Sequence, residues 1–70
     1  MKIVLSYHAK KRLSERGIQF KDVQETIEMP EYTISKANKK EAYKIIKNKT
    51  LKVVYTEEDK YIKVITLIWK

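Results

Sequence analysis

Cysteine is absent from this chain, glycine and proline occur once each, and His8 is the only histidine. Without cysteine no disulfide can form, so a small core must hold itself by packing or by oligomerisation. A lone histidine leaves no zinc-type ligand set, and the expectation is no metal and no cofactor. One glycine excludes a glycine-rich phosphate-cradling loop, and no Ser–His–Asp arrangement is present. Long apolar runs are missing too. Ile3-Val4-Leu5 is the only strongly apolar stretch near the start, too short for a signal-peptide core or a membrane span. Freedom from cysteine suits a reducing compartment, so the expected location is cytoplasmic, away from any membrane.

What remains is a 70-residue chain with 16 Lys and Arg against nine Asp and Glu, a net charge of +7. That length allows a single domain spanning residues 1–70. A domain this size buries only about 60% of the surface its unfolded chain exposes. The charge points to nucleic acid, an acidic protein or an anionic surface as partner. The alternative is a lysine-rich surface with no such role.

Ser6 is a good helix N-cap and Gly17 a good stop, so Tyr7 to Arg16 reads as a helix. Ala9 and Leu13 share its apolar face with Leu5, Arg16 projects near the middle of that face, and His8, Arg12 and Glu15 flank it. A second helix runs from Phe20 to Met29, with Phe20, Val23 and Ile27 as its buried stripe. Asp22 complements its dipole, and Pro30 ends it. Both are too short to stand alone.

The second half supplies their support. Tyr32 to Ala37, Glu41 to Lys47, Thr50 to Thr56 and Tyr61 to Trp69 are rich in Ile, Val, Tyr and Thr, which favour strands. The connections Asn38-Lys39-Lys40, Asn48-Lys49 and Glu57 to Lys60 are short, so neighbours should be antiparallel hairpins. The expected fold class is α+β, two N-terminal helices packed on one face of a three- or four-stranded antiparallel meander.

Two-residue loops at Asn48-Lys49 and Glu58-Asp59 would set Ile46 against Leu51, Lys44 against Val53 and Tyr55 against Ile62. The helices should then cover the face carrying Ala42, Ile46, Leu51, Val53, Tyr55, Ile62, Val64, Thr66 and Ile68. The other face would mix Tyr43, Lys52, Tyr61, Lys63, Leu67 and Trp69. A one-residue slip would reverse the last assignments.

The segment from Ser6 to Ile18 resembles an HAxxRxxxRGI signature of small proteins, carried here by His8-Ala9, Arg12 and Arg16-Gly17-Ile18. The likeness continues through Asp22-Val23, Met29-Pro30, Leu51 to Tyr55 and Val64 to Trp69. That group is similar to a reduced RelE/ParE superfamily domain of the BrnT toxin type. The resemblance implies two helices on an antiparallel sheet, metal-free endoribonucleolytic cleavage of mRNA, often at the ribosome, and an acidic antitoxin partner. Gln19 departs from the pattern, standing where a Ser or Thr cap is expected.

Metal-free RNA cleavage needs a base, an acid and cations for the charged phosphorane. His8 can exchange a proton near neutral pH, and Arg12, one turn along, can hold a phosphate, so these are the candidate catalytic residues. Their alternative role is to orient the helix on the sheet. Arg16, Tyr43, Lys52, Tyr61, Lys63 and Trp69 are the candidate nucleic-acid contacts, since aromatics interleaved with cations suit stacked bases and tracked phosphates. The alternative is that Tyr43 and Trp69 pack together or in a homodimer under covering lysines. Lys36, Lys39, Lys40, Lys47 and Lys49 read as solvated charges contributing field. The function expected is a toxin-like RNA-binding protein acting as a ribonuclease; the alternative is a non-catalytic adaptor that binds protein or nucleic acid. A helix-turn-helix is disfavoured because strands follow the helix pair at once.

Overall fold

A computed structural model describes residues 2–70. The elements are β1 (Lys2–Leu5), α1 (Tyr7–Glu15), α2 (Phe20–Glu28), β2 (Tyr32–Lys36), β3 (Lys39–Ile46), β4 (Lys49–Glu57) and β5 (Tyr61–Trp69). They form an α+β fold with both helices on one face of a five-stranded sheet in the order β1-β5-β4-β3-β2.

The sheet corrects the expected three- or four-stranded antiparallel meander. It has a fifth strand, and it is mixed, because β1 pairs with β5 in parallel. Hairpin logic finds partners joined by short turns. The partner of β1 lies at the far end of the chain, with Ile3 beside Ile62 and Leu5 beside Val64. Four residues carry little signal of their own; burial of Ile3 and Leu5 against the core makes them a strand.

The β3–β4 turn falls one residue earlier than expected, and the β4–β5 turn, at Asp59-Lys60, one residue later. Lys47 and Asn48 form the β3–β4 turn at φ 51 and 69, both positive as a type I′ turn requires. Lys44 therefore pairs with Leu51, Ala42 with Val53 and Tyr55 with Val64. Each pairing is two residues from expectation, and because side chains alternate with period two the expected faces survive that displacement.

They do not survive at the end of β5. The register shifts between Val54 and Tyr55: Tyr55 opposes Val64 but Val54 opposes Thr66, so Ile65 is an extra residue. Such a bulge turns every later side chain over. Leu67, fully buried, and Trp69 join the core in place of Thr66 and Ile68. The bulge lies where α1 begins. The Ser6 N–H donates to the Val64 carbonyl and its hydroxyl to the Ile65 carbonyl, both at 2.9 Å. The same Ser6 oxygen caps α1 by accepting from the Ala9 N–H at 3.1 Å.

Helix α1 lies over β5 and β1, and α2 over β3 and β4. Val23, Val53 and Val64 are fully buried, as expected of the core, while Leu13 and Ile27 pack against it partly exposed. Phe20 departs from the expected stripe and is 44% exposed. It is the first residue of α2, and the buried positions are Asp22, Val23 and Thr26. The Thr26 hydroxyl donates to the Asp22 carbonyl at 2.7 Å, which satisfies it inside the core. Gln19 does start α2: its N–H donates to the Asp22 carboxylate at 3.2 Å.

Candidate nucleic-acid interface

The eight expected site residues separate into groups on different surfaces. His8, Arg12 and Arg16 lie on or just after α1, on the helical side of the sheet. His8 and Arg16 are exposed. Arg12 is partly exposed and makes an ion pair with Glu15 at 3.3 Å. Arg16 finds no carboxylate in Asp22, which is bonded to Gln19.

Tyr43, Lys52, Tyr61 and Lys63 do sit on the opposite, uncovered face, but not as one stacking platform. The Tyr43 ring stacks on Tyr32 with centroids 4.5 Å apart and is only 6% exposed. Its hydroxyl donates to Glu41 at 3.2 Å. Lys52 lies 3.6 Å from the same Glu41 and 5.8 Å from the Tyr43 ring centre. Tyr43 and Lys52 are thus committed to each other and to a carboxylate. Tyr61 and Lys63 stand on β5 beside Lys2 and Val4, away from that cluster.

Trp69 is corrected from the uncovered face to the helical face by the bulge at Ile65. There it meets Arg16, with which the sequence grouped it only by residue type. The indole N–H donates to the Arg16 carbonyl at 3.2 Å. Lys49, at the start of β4, places its ammonium 5.7 Å from the indole ring centre. The Lys70 N–H donates to the Thr50 carbonyl at 2.8 Å, and Lys47 is in the turn just before Lys49. One end of the molecule therefore carries the backbone of Arg16, Lys47, Lys49 and Lys70 close to Trp69, all four residues being exposed. Lys47 and Lys49 read as unspecific field in the sequence. Only the register, which pairs Leu51 with Trp69, shows that Lys49 shares the indole's face.

The opposite end mixes acids with lysines, Lys39, Lys40 and Lys60 standing among Glu57, Glu58 and Asp59. Glu57, Glu58 and Asp59 form the end of β4 and the β4–β5 turn. The length of β4 puts them roughly 27 Å from Lys49. Lys40 is held there by Glu57 at 2.6 Å, which raises its pKa through that hydrogen bond and the attraction behind it. Beneath, the Tyr55 phenol is pushed above its usual range by burial. The surface depression at this turn is lined by Glu57, Glu58, Asp59, Lys60 and Tyr61.

Residues 5–69 match the family described as a domain of unknown function, DUF4258. The chain belongs to that family. The match begins at the last residue of β1 and takes in both helices and the four later strands. No curated protein and no solved structure matches the chain. Among the described residues no group of three or more Asp, Glu or His could hold a metal ion. No helix among them is long and apolar enough to cross a membrane.

Proposed function

We propose that this DUF4258 domain is a toxin-like RNA-binding protein of the cytoplasm, related in architecture to the RelE/ParE and BrnT-type proteins. It takes RNA phosphates at the end formed by Arg16, Lys47, Lys49 and Lys70. The observation that carries this reading is the grouping at that end of cations that no carboxylate holds. All four are exposed and none makes an ion pair among the described residues, whereas Lys36, Lys40, Lys44 and Lys52 each lie against a glutamate. The kinship draws support from two helices on a sheet and from the placement of His8, Arg12 and Arg16 along the first helix. RNA, free or in the ribosome, is the partner, and an acidic antitoxin would compete for the same cations.

Cleavage is the second reading, favoured by one observation. His8 and Arg12 stand one turn apart on α1 with His8 open to solvent, so a proton-exchanging group and a phosphate-holding fork share a surface.

The test is fluorescence anisotropy with labelled single-stranded RNA, run beside a cleavage assay on the same RNA. Wild type should bind at low salt, and Arg16→Glu with Lys49→Glu should abolish binding while Lys60→Glu leaves it intact. Absence of binding at low salt would remove the proposal. Binding without cleavage, with ribosomes present and absent, would leave the non-catalytic reading.

A further inference from the structure

β2 is an edge of the sheet: its one neighbour is β3, and all five of its residues are exposed. An edge strand presents unpaired N–H and C=O groups, and proteins usually blunt it with a bulge, a proline or several charges. Within Tyr32-Thr33-Ile34-Ser35-Lys36 there is one charge and no proline, and the register with β3 is unbroken. The β2–β3 hairpin closes at Lys36 and Lys39 over the two-residue turn Ala37-Asn38. In a hairpin of that length the closing pair exchanges both hydrogen bonds, and bonded and non-bonded pairs then alternate. Tyr32, Ile34 and Lys36 accordingly turn their backbone groups toward β3, and Thr33 and Ser35 turn theirs to the open side.

The strand is complementary to itself. Antiparallel pairing about a two-fold axis through Ile34 sets Ile34 against the partner's Ile34, Thr33 against the partner's Ser35 and Tyr32 against the partner's Lys36. These are an apolar pair, a hydroxyl pair and an aromatic–cation pair, each a favourable cross-strand neighbour. The backbone selects the same axis. Thr33 and Ser35, with free amides, fall at the hydrogen-bonded positions. Ile34 falls at the non-hydrogen-bonded position, where facing Cα atoms approach to about 4.5 Å and side chains meet most closely. The register also keeps the two Lys36 ammonium groups apart. Four residues of strand separate their positions by roughly 14 Å, beyond the ~8 Å screening length at physiological salt. Ile34 and Tyr32 are 38% and 54% exposed, so both have apolar surface left to bury.

We propose that β2 is a homodimerisation edge, where a second copy of this chain adds antiparallel about a two-fold axis through Ile34 and the two sheets become one. The cationic end lies outside β2 and stays uncovered. One strand pair falls below the ~1,200 Å² of a stable interface, so the dimer is weak and depends on concentration. The charge of +7 on each copy opposes association, and salt should strengthen the dimer by screening it. RNA binding should respond in the opposite direction, so the two proposals fail independently.

Sedimentation equilibrium over a range of protein and salt concentrations tests it. Wild type should approach twice the monomer mass as concentration rises, at lower concentration in higher salt. Ile34→Lys and Ile34→Glu should each be monomeric, with circular dichroism confirming the fold. Mixed in equal amounts they should recover the dimer, because the substituted positions face each other across the axis. A wild type that stays monomeric throughout overturns the proposal, whether or not it binds other proteins. So does an Ile34→Lys variant that still dimerises, or a mixture that stays monomeric. Should Ile34→Lys fail to fold, loss of the dimer in Thr33→Pro, which removes an outward N–H, decides in its place, and its persistence there overturns the proposal.

Discussion

The indole N–H of Trp69 donates to the backbone carbonyl of Arg16 across 53 positions of sequence, at 3.2 Å. Arg16 caps α1, and its carbonyl is one of those a helix leaves without an intrahelical partner. The bond pins the helix end, and with it the Arg16 backbone, to the end of β5. Trp69→Phe keeps an aromatic ring but loses the donor. We expect thermal or urea denaturation to show a loss of about 1 kcal/mol, and RNA affinity to fall less than in Arg16→Ala. Equal affinity losses would mean that Trp69 itself contacts RNA.

Ser6 joins two elements through one side chain, capping α1 and reaching the bulge carbonyl of Ile65 in β5. Ser6→Ala removes both bonds. A helix-cap deletion typically costs about 1 kcal/mol, up to ~2, and the upper end is expected here because the Ile65 carbonyl also loses its partner. Chemical denaturation reads this directly; a change under a few tenths would show that the cap contributes nothing to stability.

The bulge at Ile65 makes adjacent residues of β5 unequal. Leu67 is fully buried, whereas Ile68 pairs with Lys52 on the uncovered face. Leu67→Ala should destabilise by about 2–5 kcal/mol, the range for emptying a packed core position, and Ile68→Ala by much less. The reverse order would require an unbulged β5.

The alkaline limit of stability should lie with Tyr55 and Lys40. Both folded pKa values are raised, Tyr55 by burial and Lys40 by its bond to Glu57. A raised value means that the unfolded chain loses its proton first. Stability from these groups is therefore complete below about pH 10, near the ordinary tyrosine and lysine values, and is lost as pH rises through the folded ones. Denaturation midpoints should be flat below that point and fall above it. Tyr55→Phe should reduce the fall, and an unchanged slope would assign it elsewhere.

RNA affinity should decline linearly in a log–log plot against salt, each phosphate contact adding about 0.7 to the slope for a single strand. Lys49→Ala should lower the slope by about that amount. Lys52→Ala should leave it nearly unchanged, because Lys52 is paired with Glu41 on the other face. A larger loss from Lys52 would move the binding surface to the uncovered side of the sheet.

By itself the sequence determined the helix bounds at Ser6 and Gly17, four of the five strands, the side on which Val23, Val53 and Val64 are buried, and the basic character of the surface. Each of these follows from local chemistry: a hydroxyl that caps, a residue free to adopt φ +62, side chains alternating with period two. Tertiary structure decided the rest, because those features depend on partners distant in the chain. β1 is a strand only where β5 receives it. One extra residue at Ile65 turned Leu67 and Trp69 inward, and no local propensity marks that position. The same turn carried Trp69 from Tyr43 to Arg16 and Lys49, so the candidate site took form around a residue that alternation alone had assigned to the other face. Composition sets how much charge a chain carries, while register and the packing of the core set which charges meet.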